Sequence, residues 1–433
     1  VIEGLKIIDL SVHEDQRGWF KENWRRSWLP GFQPVQQNVS FNAEAGTTRG
    51  LHAEPWDKLV SVATGRVFGA WYDLREDSPS HGQTQTVEIT PDTAVFIPRG
   101  VANGFQALED NTTYLYLVNA HWSPEARYTN ISYRRIDWPL EPRNLSDKDR
   151  EAPLEAPAIP ARKILVTGAD GQLGRALRKV LGKRGEFCSR AEFDITAPPE
   201  RDWAQYAAII NAAAYNDVDG AENDRAAAWA VNATAPGRLA QIAQEYDLTL
   251  VHASTDYVFD GTQDCYSEDD QPAPLSFYGA SKAAGEAAAA GAPKHYVVRT
   301  QWVYGEGGNF VDTMADLARR DVQPQVVHDQ VGRITSAEEL AKGIVHLLDT
   351  RSDYGIYHLT GGGDAVGRDE IAMAAFIALG KDPSDVHPTT TAAYYGERAH
   401  AERPQRTVLD TSKIEATGFR PGNWRANLAV YLA

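Results

Sequence analysis

Two rhythms of hydrophobic and polar residues divide the chain near residue 150. Before it, short runs such as KLVSVATG, RVFGAWYDL, TQTVEIT, TAVFIP and TYLYLVNA are separated by turn signals at Gly65, Ser78-Pro79, Pro91-Asp92 and Pro98-Arg99-Gly100. Strands of this length and spacing predict an all-β sandwich or jelly roll over residues 1–150. The segment EAPLEAPAIPAR, residues 151–162, has three prolines (Pro153, Pro157, Pro160) in eight positions and reads as an extended linker. From Lys163, apolar strands alternate with helical stretches: YAAIINAAA, RAAAWAVNATAPGRLAQIAQEY, LTLVHASTDYVF, SKAAGEAAAA and HYVVRTQWVYG. That alternation predicts an α/β Rossmann-type domain over 163–433, a parallel sheet covered by helices on both faces. The part after about Gly305 reads as a smaller mixed lobe closing over the nucleotide site.

The stretch KILVTGADGQLG, Lys163–Gly174, joins a buried-strand pattern to a helical one through Gly168, Gly171 and Gly174. Glycine suits a chain that must turn sharply, let a diphosphate approach bare backbone, and pack the new helix close to the strand. The helix start offers unpaired N–H groups and a positive dipole end to phosphates. A glycine triplet alone is weak evidence, and the flanking strand and helix give it weight.

Composition narrows the setting. At 433 residues the chain suggests two or three domains, and 42% hydrophobic with 24% charged residues fits a soluble globular protein. Cys188 and Cys265 lie far apart without metal-ligand spacing, so neither a disulfide framework nor a zinc site is expected and a cytoplasmic setting fits. No leader pattern or membrane-length apolar run is readable. The net charge of −16 argues against nucleic acid as a partner. Residues 1–150 carry −4 of it and the remainder −12, so an anionic substrate needs local Arg or Lys groups.

The strand LTLVHASTDYVF brings Ser254, Thr255 and Asp256 to the carboxyl end of the sheet, where open α/β folds bind ligands. Tyr278 and Lys282, in YGASK, are four apart and share one helix face. A nearby ammonium is expected to lower the phenol pKa, letting Tyr278 deliver a proton to a carbonyl oxygen as hydride reaches carbon, with Thr255 bonding the same oxygen.

With NAAAYNDVDGAE, STDYVFDG, YGASKAAGE, RTQWVYGEGGNF, HDQVGRITSAEELA, GIYHLTGGG and AERPQRTVLD, residues 163–433 resemble the dTDP-4-dehydrorhamnose reductases, extended short-chain dehydrogenases/reductases. The resemblance implies NAD(P)H-dependent reduction of a dTDP-linked 4-keto-6-deoxy sugar, giving dTDP-L-rhamnose. It makes Thr255, Tyr278 and Lys282 the catalytic triad and sets Trp302 against the sugar. Asp256 and Tyr257 fall at substrate contacts, and Arg403 suits the diphosphate. Cofactor contacts fall at Gly168, Asp170, Gly171, Gln172, Leu173 and Gly174, at Arg190 and Asp194, at Ala212, Ala213 and Ala214, and at Tyr278 and Lys282. Arg190, rather than an acidic residue, stands near the ribose position and favours NADPH over NADH. Gln301 replaces a usual Ser and Ile334 a usual Pro, neither touching the triad. The resemblance leaves open a Mg2+ ion at a subunit contact, although no ligand cluster is readable, and it suggests a homodimer.

DQRGWFKENW, QQNVSFNAEAGTTRGLH, KLV, VFIPRGVANGF and NLSDKD give residues 1–150 a resemblance to the dTDP-4-dehydrorhamnose 3,5-epimerases, cupin-like jelly rolls. Proton removal beside a ketone needs a base near the carbon and a positive group near the enolate oxygen. The resemblance makes His52 the base, Asp149 its orienting partner and Lys58 the enolate stabiliser. Arg17, Phe20, Glu22, Gln37, Asn38 and Arg49 fall where the family contacts the nucleotide. Trp122 stands at the family's acid tyrosine, Gly69 at an aspartate and Asn103 at a histidine. His121, Tyr116 or a water could then supply the returning proton, or only one centre is inverted. Two readings follow: a bifunctional epimerase and reductase, or a reductase whose first half is a nucleotide-binding or oligomerisation module.

Overall fold

The structure, a computed structural model, describes residues 1–29, 31–121 and 128–433. The chain forms two compact units, Val1–Ala161 and Arg162–Ala433. Among the described residues no helix is long and apolar enough to cross a membrane.

The first unit is a sandwich of two five-stranded antiparallel sheets. One runs Lys6–Asp9, Thr93–Ile97, Lys58–Thr64, Thr112–Val118 and Gln36–Asn42; the other runs Thr129–Ile131, Thr48–Ala53, Val101–Ala107, Val67–Asp73 and Thr84–Ile89. Strand alternation sends Val60, Val62, Trp71, Val95, Phe105 and Tyr114 into one core. A second cluster on the other sheet gathers Leu51, Ala53, Ala70, Ile131 and Ile136, with Ala156 and Ile159 packed against it. The proline-rich segment is therefore docked: Ile159 N–H donates to the Leu74 carbonyl (2.7 Å), and Ser132 N–H to the Pro153 carbonyl (2.8 Å).

The second unit holds six parallel strands in the spatial order Gly185–Cys188, Lys163–Thr167, Tyr206–Asn211, Thr249–Thr255, His295–Thr300 and Gly355–His358. The strand order reverses between Lys163–Thr167 and Tyr206–Asn211, which opens a crevice at their carboxyl ends. Ile164, Val166 and Val298 face Leu173 and Leu177 of the first helix, Gln172–Leu181, on one side. Leu165, Ile209 and Val297 face Leu239 and Ala289 on the other.

The region after Gly305 does not form one separate lobe. Leu340, Ile344 and Leu347 of helix Ala337–Thr350 belong to the sheet's own core, and Gly355–His358 is its sixth strand. The lobe proper is built from Phe310–Arg319, Arg368–Ala378 and Trp424–Leu432, around Met314, Ile371, Phe376 and Trp424. The apolar stripe of Ala337–Thr350 matches the sheet face, so burial returns the chain there before the lobe is completed.

Candidate active sites

At the crevice, Gly168 has φ +69°, and a Cβ there would lie 2.6 Å from Ala213 N. At Gly174 it would lie 2.4 Å from the Gly168 carbonyl. Side chains are thus excluded where the first helix meets its strand. Exposed Asp170 and Gly171 precede this helix, and buried Leu173 anchors it in the core. Gln172 donates to the Gly308 carbonyl (3.0 Å), while its own Oε1 is buried without a partner. Ala212 N–H donates to the Thr167 carbonyl (3.3 Å) and Ala213 N–H to Asn211 Oδ1 (3.3 Å), with Ala214 following. Arg190 is exposed just after strand Gly185–Cys188, and Asp194 accepts from Thr196.

Ser276 caps helix Phe277–Ala289 through the Gly279 N–H (3.2 Å), which fixes where Tyr278 and Lys282 emerge. Both are buried. Lys282 Nζ donates to the Ala253 carbonyl (2.6 Å) on the strand that carries Thr255, and the Thr255 hydroxyl acts on the Tyr278 phenol, favouring its ionised form. All three side chains therefore meet at one strand end. Burial raises the Tyr278 phenol well above its usual range, the Asp256 charge adds to this, and Thr255 only partly opposes it. This corrects the expectation of a lowered phenol: desolvation dominates, and the Lys282 nitrogen is tied to a backbone carbonyl. Burial also brings Lys282 down to about 8, against the pull of Glu286.

Two supporting groups escaped the sequence reading. Glu286, one further turn along the same face, accepts from Ser254 (2.6 Å) and pairs with buried Arg299 (2.7 Å). Its spacing of four from Lys282 was the available signal. Gln301 donates to Asp256 Oδ2 (2.7 Å) and Thr407 Oγ1 (2.7 Å), and accepts from Arg333 N–H (2.6 Å). The departure at Gln301 thus lies one residue from Thr255, which itself donates to Asp256 Oδ1 (3.1 Å). Burial lifts Asp256 to about 6, against hydrogen bonds from Thr407 and Gln301.

Tyr257 packs edge-on against Tyr278, with ring centroids 5.9 Å apart. Arg403 is paired with Asp219 (2.8 Å) and lies over the Tyr395 ring. Trp302 has a left-handed backbone, φ 45°, and its ring lies under the Arg368 guanidinium. Ile334 is buried in the lobe core.

In the first unit, His52 Nε2 lies 2.7 Å from Asp149 Oδ1, joining strand Thr48–Ala53 to helix Asp147–Glu151. Ser146 caps that helix and also bonds Asp149 Oδ2 (2.8 Å). Burial acts to raise the Asp149 carboxyl, but bonds with His52 and Ser146 outweigh it and hold it at about 2. Lys58 is buried, paired with Glu54, and lies 4.6 Å from the Tyr116 ring centre. Asn38 faces Tyr116 across the sheet, whereas Gln37 lies on the opposite face of its strand. Arg49 bonds Asn42 (3.4 Å), and its charge is felt at Tyr116. Arg17 pairs locally with Asp15 and Glu22 with Arg25, and Phe20 is exposed on the same hairpin. His121 is exposed, and Trp122 lies outside the described residues.

Gly69 and Asn103 are linked through Trp71. A Cβ at Gly69 would lie 2.7 Å from the Trp71 ring, whose Nε1 donates to Asn103 Oδ1 (3.0 Å). Among the described residues no group of three His, Cys, Asp or Glu is arranged to hold a metal ion.

A glycine turn at a switch point, with threonine, tyrosine and lysine at the end of a strand two places along the same sheet, defines the second unit as an oxidoreductase of the short-chain type. Residues 162–433 match the family model described as RmlD substrate binding domain, and residues 1–156 match that of dTDP-4-dehydrorhamnose 3,5-epimerase. The chain belongs to the dTDP-4-dehydrorhamnose reductase family and carries an epimerase-family domain ahead of the reductase. It is 38% identical over 302 residues to a Mycolicibacterium smegmatis dTDP-4-dehydrorhamnose reductase, covering 66% of this chain and 89% of the relative. A Bacillus anthracis dTDP-4-dehydrorhamnose reductase solved in complex with NADP superimposes with a TM-score of 0.58 at 32% identity, over 63% of this chain and 98% of that one. The first half is 42% identical over 178 residues to a Streptococcus pyogenes protein named RmlC homolog, covering 37% of this chain and 89% of that relative.

Proposed function

We propose that the chain performs two consecutive steps of dTDP-L-rhamnose formation. The first half epimerises dTDP-4-dehydro-6-deoxy-glucose at carbons 3 and 5, and the second reduces the 4-keto group of dTDP-4-dehydrorhamnose with NADPH. The observation that carries this is the presence of two separate catalytic groupings in one chain, His52 with Asp149 and Thr255 with Tyr278 and Lys282.

In the epimerase half, His52 removes the proton beside the ketone. Asp149 orients the ring and stabilises it when charged, and Lys58 faces the developing enolate oxygen. In the reductase half, the raised phenol of Tyr278 is fully protonated at neutral pH and so is loaded as the acid. Thr255 holds the sugar oxygen, and the Lys282 ammonium stabilises the phenolate left after transfer. The bare backbone at Gly168 and Gly174 and the unpartnered Gln172 Oε1 fit a dinucleotide, which supplies the hydride when bound. Exposed Arg190 supports NADPH over NADH, as does the NADP complex of the Bacillus anthracis relative.

The protein acts as a homodimer in this reading. Val39 and Phe41 are exposed on the edge strand Gln36–Asn42, Phe20 is exposed on the hairpin Val12–Lys21, and such an edge favours pairing with a second copy. The free cysteines Cys188 and Cys265 suit a cytoplasmic setting. The test supplies the full chain with dTDP-4-dehydro-6-deoxy-glucose and NADPH. NADPH oxidation with formation of dTDP-L-rhamnose is expected, and no oxidation would overturn the reading.

A further inference from the structure

Beside Trp302 the second unit encloses a cavity of about 190 Å3, lined by Trp302, Val303, Tyr304, Phe310, Ile334, Arg368 and Ile371. Three polar atoms of these residues are buried without a hydrogen-bond partner: Trp302 Nε1, Tyr304 Oη and Arg368 Nε. Each can donate a hydrogen bond, and two of them can only donate. Leaving three buried donors unpaired is costly, so the group that fits here is rich in acceptor oxygens. The Arg368 guanidinium lies 4.7 Å from the Trp302 ring centre and 5.7 Å from that of Phe310. Two ring faces hold it, and among the described residues no carboxylate is in ion-pair contact with it.

The charge of Arg368 is felt at Asp256 and at Tyr257, and Arg403 acts on Tyr257 as well. Two guanidiniums thus flank the residues that follow Thr255, and of the two only Arg403 has a paired carboxylate, Asp219. In a chain of net charge −16, an uncompensated cation at this place is what an anionic substrate needs.

We propose that Arg368 binds the diphosphate of the nucleotide-sugar substrate in the reductase half, with the Trp302 indole holding its guanidinium flat beneath the anion. Arg368 is then a substrate-binding residue that complements Arg403. This assignment rests on the reductase reading.

The test uses the full chain and the oxidation of NADPH by dTDP-4-dehydrorhamnose, which reports the reductase site alone. Inhibition constants of dTDP and dTMP against the sugar nucleotide are measured for wild type, Arg368→Met and Arg368→Lys. Loss of a charged hydrogen bond predicts dTDP inhibition weakened about tenfold to a hundredfold in Arg368→Met, with a corresponding rise in KM. The preference for dTDP over dTMP is expected to collapse with it. Arg368→Lys keeps the charge without the planar fork and is expected to lie between the two. NADPH affinity, measured by fluorescence, is expected to stay at the wild-type value and shows that each variant is folded. Wild-type dTDP inhibition and selectivity in either variant would overturn the role of Arg368. Absence of NADPH oxidation by the wild type would instead overturn the reductase reading, and this assignment with it.

Discussion

The Gln301 amide and the Asp256 carboxylate are hydrogen-bonded over 2.7 Å, and Thr407 donates to the same carboxylate oxygen. The bond leaves no room for a side chain at Gly332, where a Cβ would lie 2.2 Å from Gln301 Nε2. Because the amide also engages Thr407 and the Arg333 backbone, it is not free to swing aside. Gly332→Ala is therefore expected to destabilise the reductase unit by about 1–3 kcal/mol. Adding Gln301→Ser should recover most of that loss, because the two residues are in contact. Thermal denaturation of the two single variants and the double variant measures the coupling, and additive losses would contradict it.

Tyr278→Phe removes the proposed acid without opening a cavity. Reductase turnover is expected to fall by about two to four orders of magnitude, while NADPH, measured by fluorescence, still binds with an affinity reduced by no more than the loss of one hydrogen bond, about tenfold. Near-normal turnover would remove Tyr278 from its role.

Lys282 is brought down to about 8 by burial, so its ammonium is present below that pH and is lost as pH rises through it. A rate that needs the charge should decline above about pH 8, well below the range of an exposed lysine. The pH dependence of kcat for the reduction step checks this. A flat profile to pH 10 would contradict it.

Trp71 fills the space above Gly69 inside the first unit, and a Cβ there would also lie 3.1 Å from Ile89 Cδ1. Neither group is the flexible end of a long chain, so Gly69→Ala is expected to cost about 1–3 kcal/mol. Denaturant unfolding followed by tryptophan fluorescence measures it, and an unchanged midpoint would show that Trp71 yields.

What could be read from the sequence follows from how local each signal is. The glycine turn and the Tyr278–Lys282 pair depend on spacings within one helical turn or one loop, and in the structure they lie by strands Lys163–Thr167 and Thr249–Thr255, with one strand between them. His52 and Asp149 are 97 residues apart, so only the likeness to a family joined them. Arg368 lies on a helix whose pattern says nothing of the Trp302 ring, and its contact is a stacking that no spacing encodes. The direction of the Tyr278 shift also escaped, because burial is a property of the whole fold rather than of a pair of residues. The apolar stripe of Ala337–Thr350 does not say which surface it covers, so the sequence alone groups this helix with the lobe, whereas it packs on the sheet.

The central claim is that one chain carries both chemistries, and isotope exchange in heavy water without NADPH tests it most directly. The wild-type protein is expected to place deuterium at carbons 3 and 5 of dTDP-4-dehydro-6-deoxy-glucose, and His52→Ala to place none. Exchange absent from the wild type, while the same preparation still reduces dTDP-4-dehydrorhamnose with NADPH, would contradict the claim and leave a reductase alone.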